Sequence, residues 1–300
     1  MMHHDQLPVD AELVRRLVAE QFPQWAELPV APVQSGATVN AIFRLGTGLA
    51  ARLPLRSTDP VVAAELEREA DALDELAGII SVPVPRSVAI GRPAHGYPGA
   101  WAVHTWLPGA TTTSAALAGS AGFADHLATM LAALRAAPTR GRVFTGGGRG
   151  GSLPDHDEWM STCFRESGGL LDVPALRRRW QIYRDLPTAG PDVMAHRDLH
   201  PGNLLVAGER LVGVLDGGGF GAADPALDLV VVWHMLDAPA RARVRRALGS
   251  GEVEWARGAA WAFQQSMGLV WYYRTSNPVM SALGRTTLAR IMSEPVSSTG

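Results

Sequence analysis

The chain has 300 residues and a mass of 31.9 kDa, enough for one large domain or two small ones with an ample core. Hydrophobic residues make up 47% and charged residues 19%, which excludes a disordered chain, and a formal net charge of −2 leaves no electrostatic footprint for nucleic acid. All 27 basic residues are arginine, and the single cysteine, Cys163, excludes an internal disulfide and a four-cysteine zinc site and reads as a buried thiol.

The N-terminus shows no apolar signal core, and no run approaches eighteen apolar residues. The expectation is a cytoplasmic protein without a membrane span, a monomer or weak dimer. Asp10 reads as a helix cap, followed by Leu13, Val14, Leu17 and Val18 at helical spacing. "VQSGATVNAIFRLGTGLAARLPLR" then reads as strand, tight glycine turn and strand. In the next segment Asp59 and Pro60 suit a helix start and Gly78 its stop, with Val62, Leu66, Ala70, Leu73 and Leu76 on one face. "VPVPRSVAIG" and "AWAVHTWLPG" read as two further strands. Beyond Gly109 the texture turns helical: a long alanine-rich helix, a glycine-rich loop "TGGGRGGS", and an amphipathic helix in "VPALRRRWQIYRDLP". A short hairpin is expected near residues 205–215, then two or three helices from Leu227 to about Ser293. The boundary between a strand-rich first part and a helical remainder falls near residues 104–109.

"MAHRDLHPGNLLV", Met194 to Val206, carries the chemistry. His196 and His200 are four apart, a zinc spacing on a helix. However, Pro201 and Gly202 argue for a loop, and the glutamate expected of a zinc protease is missing. Phosphate chemistry fits better. Asn203 lies five residues after Asp198, and Asp216 ends the apolar strand "LVGVL". Asn203 and Asp216 offer the hard oxygen donors that magnesium prefers beside phosphates, while Asp198 can accept a hydroxyl proton. Each residue alone suits a turn; the set, with Asp224 and Asp228 following, does not reduce to turns.

These motifs, "AHRDLHPGNLLV" and "VGVLDGGGFGAADPALDLVVVWHML", resemble the aminoglycoside phosphotransferase family of antibiotic kinases. The resemblance extends over nearly the whole chain. It implies an α+β, two-lobed, protein-kinase-like fold: a β-rich nucleotide-binding lobe over 1–106 and a mostly helical catalytic and substrate-binding lobe over 107–300. It implies Asp198 as catalytic base, Asn203 and Asp216 as Mg2+ ligands, and Asp228 with His196 as support for the catalytic loop. Ser35, Gly36 and Thr38 would lie over the nucleotide phosphates. Arg52 would stand where the family has a phosphate-binding lysine, paired with Glu69, because Glu65 and Glu67 face other ways. The donor would be ATP or GTP and the acceptor a small hydroxylated molecule.

Three departures from the family pattern matter. Arg52 replaces lysine but keeps the charge and adds a fork. Arg197 stands where the family usually has glycine; only seven residues separate Asp216 from Asp224, too few for a phosphorylated activation loop, so Arg197 is expected to serve packing or loop charge. Gly217 to Gly219 replace a bulky residue and suggest a looser loop. "TGGGRGGS" lacks the preceding strand and the lysine of a phosphate-binding loop and reads as a flexible substrate-side loop.

For the acceptor, residues 191–300 hold ten acidic and ten arginine residues, no acidic bias for a polycation. Asp155, Asp157 and Glu158 form one acidic cluster, equally at home at a helix N-terminus. Trp271, Tyr272 and Tyr273 could face a macrolide or nucleoside antibiotic, with at least one of them in the core. The reading is an O-phosphotransferase acting on an antibiotic-like natural product (aminoglycoside, macrolide or nucleoside) and conferring resistance. A metabolic kinase for choline, homoserine or a sugar, or a non-catalytic nucleotide-binding module, would use the same core.

Overall fold

Asp10 begins the first helix: its carboxylate accepts the Leu13 N–H at 2.8 Å, and α1 (Ala11–Gln21) buries Leu13, Val14, Leu17 and Val18. The structure, a computed structural model, describes residues 8–33, 40–55, 61–146 and 148–294. Asp59 and Pro60 lie outside them. The chain divides into two compact units, one of Met1–Gly78, Pro83–Pro108 and Gly213–Gly218, the other of Ile79–Val82, Gly109–Val212 and Gly219–Gly300.

In the first unit, β1 (Val30–Pro32), β2 (Asn40–Leu45) and β3 (Leu49–Pro54) precede α2 (Val61–Ala77), followed by β4 (Ser87–Gly91) and β5 (Trp101–Thr105). They form one antiparallel sheet in the order β1-β2-β3-β5-β4. Successive side chains point to opposite faces of a strand, and two clusters use that alternation. Phe43, Leu45, Ala51, Leu53, Trp101 and Val103 pack with α1. Ala102 packs with Val62 and Leu66 of α2. Arg52 pairs with Ala102 and therefore emerges on the α2 side, between two residues aimed the other way.

The second unit begins with β6 (Ala110–Thr111), α3 (Ser114–Leu117) and α4 (Ala121–Ala136). The long alanine-rich helix expected here is thus two helices. Ser120 caps the second by accepting the Phe123 N–H at 3.1 Å; a capping side chain offers the backbone an alternative to continuing the helix. Next come α5 (Asp157–Glu166), α6 (Val173–Arg184), β7 (Val193–Ala195), β8 (Leu204–Ala207) and β9 (Arg210–Val214), then β10 (Gly221–Ala223), α7 (Val230–Met235), α8 (Ala238–Leu248), α9 (Glu252–Tyr272) and α10 (Pro278–Ser293). Among the described residues, four helices follow Leu227 where two or three were expected. The hairpin near 205–215 is present as β8 and β9, with β6 added beside β8, and β7 pairs antiparallel with β10. The spine of this unit is α9, with Trp261, Phe263 and Met267 fully buried and α5, α6, α7 and α10 packed around it. Cys163 is buried on α5, and burial pushes its thiol up to about 11. No described helix is long and apolar enough to cross a membrane.

Candidate active site

The first unit gathers Arg52, Glu69, Asp216 and His104. The Arg52 guanidinium is shared: Nη1 donates to Glu69 Oε1, and Nη2 donates to Asp216 Oδ1 at 2.8 Å. His104 sits two residues along β5 from Ala102, on the same face, with Nδ1 3.5 Å from Arg52 Nη1. Burial first, and the Arg52 charge second, lower the His104 pKa to about 3, so the ring is neutral and does not oppose the guanidinium. On α2, Glu69 is half-buried while Glu65 and Glu67 are exposed, as helical spacing predicts. Asp216 has a left-handed backbone, φ 56°, and the segment behind it is closely fitted. A Cβ on Gly218 would lie 2.5 Å from Glu69 Cγ and 3.0 Å from Cδ. The expected looseness therefore does not extend to Gly218, where the absence of a side chain lets the Glu69 side chain lie against the backbone.

The second unit holds the catalytic-loop motif. β7 delivers the chain to His196, and a single 3-10 turn over Pro201–Asn203 hands it on to β8. His196 and His200 therefore do not share a helix face. His200 instead caps the turn, its Nδ1 accepting the Gly202 N–H at 3.1 Å. Asp228, buried just before α7, accepts the His196 N–H at 2.6 Å and the Arg197 N–H at 3.0 Å. Burial pushes this carboxyl up, while His196 and those two N–H groups favour the ionised form. Asn203 Nδ2 donates to the Asp198 carbonyl at 2.9 Å. The carboxamide oxygen is then what Asn203 can offer a cation. Arg197 adopts φ 73°, the left-handed region where glycine is at ease, which accounts for the family's usual glycine here. Its guanidinium lies over the Phe144 ring at 5.0 Å, the packing role expected of it.

A model of the phosphotransferase enzyme family matches residues 29–261, a span that holds Arg52, Glu69, the catalytic-loop motif, Asp216 and Asp228. The chain belongs to the phosphotransferase enzyme family. A search of curated proteins by sequence gives no match. Solved structures agree in fold. The GDP and kanamycin complex of APH(2")-IIia superimposes with a TM-score of 0.71 at 20% identity, over 93% of this chain and 98% of that one. Macrolide 2'-phosphotransferase MphH from Brachybacterium faecium gives 0.59 at 20% identity, over 92% and 98%. The streptomycin-ATP-APH(2")-IIa ternary complex gives 0.59 at 15% identity, over 97% and 98%. The α+β, protein-kinase-like fold implied by the sequence is the one found, and family membership makes the chain a phosphotransferase.

The remaining sequence candidates of this phosphotransferase fall as follows. Ser35, Gly36 and Thr38 lie outside the described residues. Asp157 opens α5 and is already engaged. Arg184 Nε donates to its Oδ2 at 2.8 Å and Trp180 Nε1 to its Oδ1 at 2.8 Å. Burial would raise its pKa, but these partners hold it below the usual carboxylate range. Asp155 and Glu158 are exposed. Trp271 and Tyr272 end α9 in an aromatic cluster, Trp271 being 5.9 Å from Trp159 and 5.7 Å from Tyr272.

Sequence reasoning missed Arg149. It belongs to the glycine-rich loop, and its Nη2 donates to Asp198 Oδ1 at 3.0 Å. The loop is also tied at both ends. Phe144 N–H donates to Asp192 at 2.6 Å, and the Gly150 carbonyl accepts the Asp224 N–H at 2.8 Å. The signal that could have found it is the lone arginine in a glycine run, in a chain where arginine must supply every cation.

Proposed function

We propose that this phosphotransferase moves the γ-phosphoryl group of ATP or GTP to a hydroxyl of a small, antibiotic-like natural product in the cytoplasm, and so confers resistance. The observation that carries this reading is the braced catalytic loop: Asp228 holds the His196 and Arg197 amides, and Asn203 fastens the Asp198 carbonyl. Such bracing acts through the backbone of the loop and so fixes the position from which the Asp198 carboxylate is presented. In this reading Asp198 aligns the acceptor hydroxyl and takes up its proton. Arg52, kept on station by Glu69, draws charge from the phosphates, and Ser35, Gly36 and Thr38 cover the nucleotide.

In this reading Asn203 would offer a carboxamide oxygen and half-exposed Asp216 a carboxylate, the hard oxygen donors that magnesium takes beside water and phosphate. When bound, the cation would offset charge on the transferring group. The acceptor classes named for the structural relatives, aminoglycoside and macrolide, are the first to try, and nucleoside antibiotics complete the panel.

The test is transfer of label from γ-labelled nucleotide to a panel of hydroxylated antibiotics, with and without magnesium, in parallel with growth of a sensitive bacterium expressing the chain. Asp198→Ala should lose about two to four orders of magnitude in turnover, as for removal of a general base. Turnover within threefold of wild type would remove Asp198 from the mechanism.

A further inference from the structure

We propose that Arg149 is a specificity-determining residue of the acceptor site: its guanidinium, seated on Asp198, turns away hydroxyl compounds carrying several positive charges and favours uncharged or anionic ones. This rests on the reading of Asp198 as the group that faces the acceptor.

Three side-chain nitrogens lie against that carboxylate. Arg149 Nη2 holds Oδ1 at 3.0 Å, Asn203 Nδ2 is 3.4 Å from Oδ2, and His200 Nε2 is 4.0 Å from Oδ2. Arginine cannot shed its charge near neutral pH, so one full positive charge stays beside the position of the reacting hydroxyl. Nor is it a loosely tethered charge. Besides the two backbone ties of its loop, Gly150 has φ 124°, and a Cβ there would lie 2.9 Å from the Phe144 ring and 3.0 Å from Ala223 Cβ. The chain is thus pressed onto Phe144 and β10 next to Arg149. Of the other carboxylates in this unit, Asp157 is held by Arg184, Asp192 by the Phe144 N–H, Asp224 by Arg257 and Asp228 by the loop amides, while Asp155 and Glu158 stand exposed at the start of α5. A polycation would meet at Asp198 a carboxylate whose charge Arg149 already offsets. Two like charges roughly 5 Å apart near a surface repel enough to change affinity on the order of tenfold.

The experiment is calorimetric titration of the full-length protein with kanamycin, a polycationic polyol. Arg149→Gln should bind it at least about tenfold more tightly than wild type. Arg149→Lys, which keeps the charge, should stay near wild type. Arg178→Gln, which removes the same charge from an exposed position on α6, should change affinity less than twofold. An Arg149→Gln affinity equal to wild type, with binding measurable or not, overturns the proposal, as does an equal gain in Arg178→Gln. Arg149→Met substitutes if the glutamine variant does not fold. Nucleotide binding and magnesium-dependent hydrolysis, read on the same wild-type preparation, keep the two readings apart. Their absence ends the phosphotransfer reading, whereas their presence with a flat kanamycin series ends only the role of Arg149.

Discussion

Gly218 shows how one missing side chain can set the geometry of a charged cluster. Glu69 is at once the partner of Arg52 and the neighbour that a Cβ on Gly218 would strike. Gly218→Ala should therefore cost about 1 to 3 kcal/mol, the usual range for overpacking, and should loosen the hold on Arg52. Glu69→Ala removes the two atoms under most pressure, Cγ and Cδ, and leaves only the Glu69 Cβ at 3.2 Å. The double variant should then be more stable than the sum of the singles by at least about 1 kcal/mol, since residues in contact do not add. Urea unfolding of the four proteins measures that coupling, and strict additivity would contradict the contact. Arg197 illustrates the opposite case, a side chain kept at a left-handed position. Such a residue is held on the order of 1 to 2 kcal/mol above a relaxed conformation, offset here by its amide bond to Asp228 and its place over Phe144.

Helix α9 is anchored by a buried ion pair at its first turns. Arg257 donates through Nε to Asp224 Oδ2 at 2.8 Å and through Nη1 to the Leu186 and Pro187 carbonyls at 3.0 and 3.1 Å. Trp261, one turn on, donates to the same carboxylate at 3.1 Å, and Asp224 Oδ1 accepts the Ala226 N–H at 2.8 Å. The ion pair therefore fixes α9 against the turn that leads from β10 into α7, the element that begins after Asp228. Breaking a buried pair from one side is costly because the other charge is left without its partner. Arg257→Met should destabilise the protein by about 3 to 5 kcal/mol, and Asp224→Asn with Arg257→Met should recover part of that loss. Denaturant unfolding decides: a single-variant cost below 1 kcal/mol would mean that the pair holds nothing. Elsewhere arginine also finishes helices. Arg179 reaches the Ile291 and Glu294 carbonyls at the end of α10, both at 3.1 Å, a use of basic side chains at helix C-termini for which this chain has no lysine to spare.

At the scale of the molecule, periodicity made the amphipathic elements legible. The cap at Asp10, the buried stripe of α2 and the strands around Arg52 all follow from alternation that a single face must obey. Once the family resemblance singled out Arg52, the choice of Glu69 as its partner was legible for the same reason, since Glu65 and Glu67 face other ways. The break at Ser120 was not, although Gly119 and Gly122 flank it, because isolated glycines are tolerated inside a helical pattern and the alanines beyond them sustain helical propensity. Arg149 was hidden because a run of glycines carries no period from which its path to Asp198 could be read. The placement of 213–218 with the first unit was hidden too, since it rests on long-range bonds such as Val214 N–H to the Pro83 carbonyl at 2.9 Å. Both units share one property that sequence does not disclose, a histidine kept neutral by burial. His104 in the first unit and His234 in the second are each lowered to about 3; His234 is fastened between Thr287 Oγ1 at 2.8 Å and Gln265 Oε1 at 3.0 Å. A histidine whose folded pKa lies below its unfolded value gives full stability above about 6.5 and loses it as pH falls toward the folded value, because the unfolded chain then binds the extra proton. The window is thus pH 6.5 down to about 3. Within it each histidine should steepen the fall in stability by about 1.4 kcal/mol per pH unit. Asp228, raised by burial, works in the other direction and cannot supply this loss. Urea unfolding at pH 7.5, 6, 5 and 4.5 should show the decline, and His104→Gln and His234→Gln should each remove about one proton's worth of slope. An unchanged slope in both variants would mean that neither ring is held neutral in the folded protein.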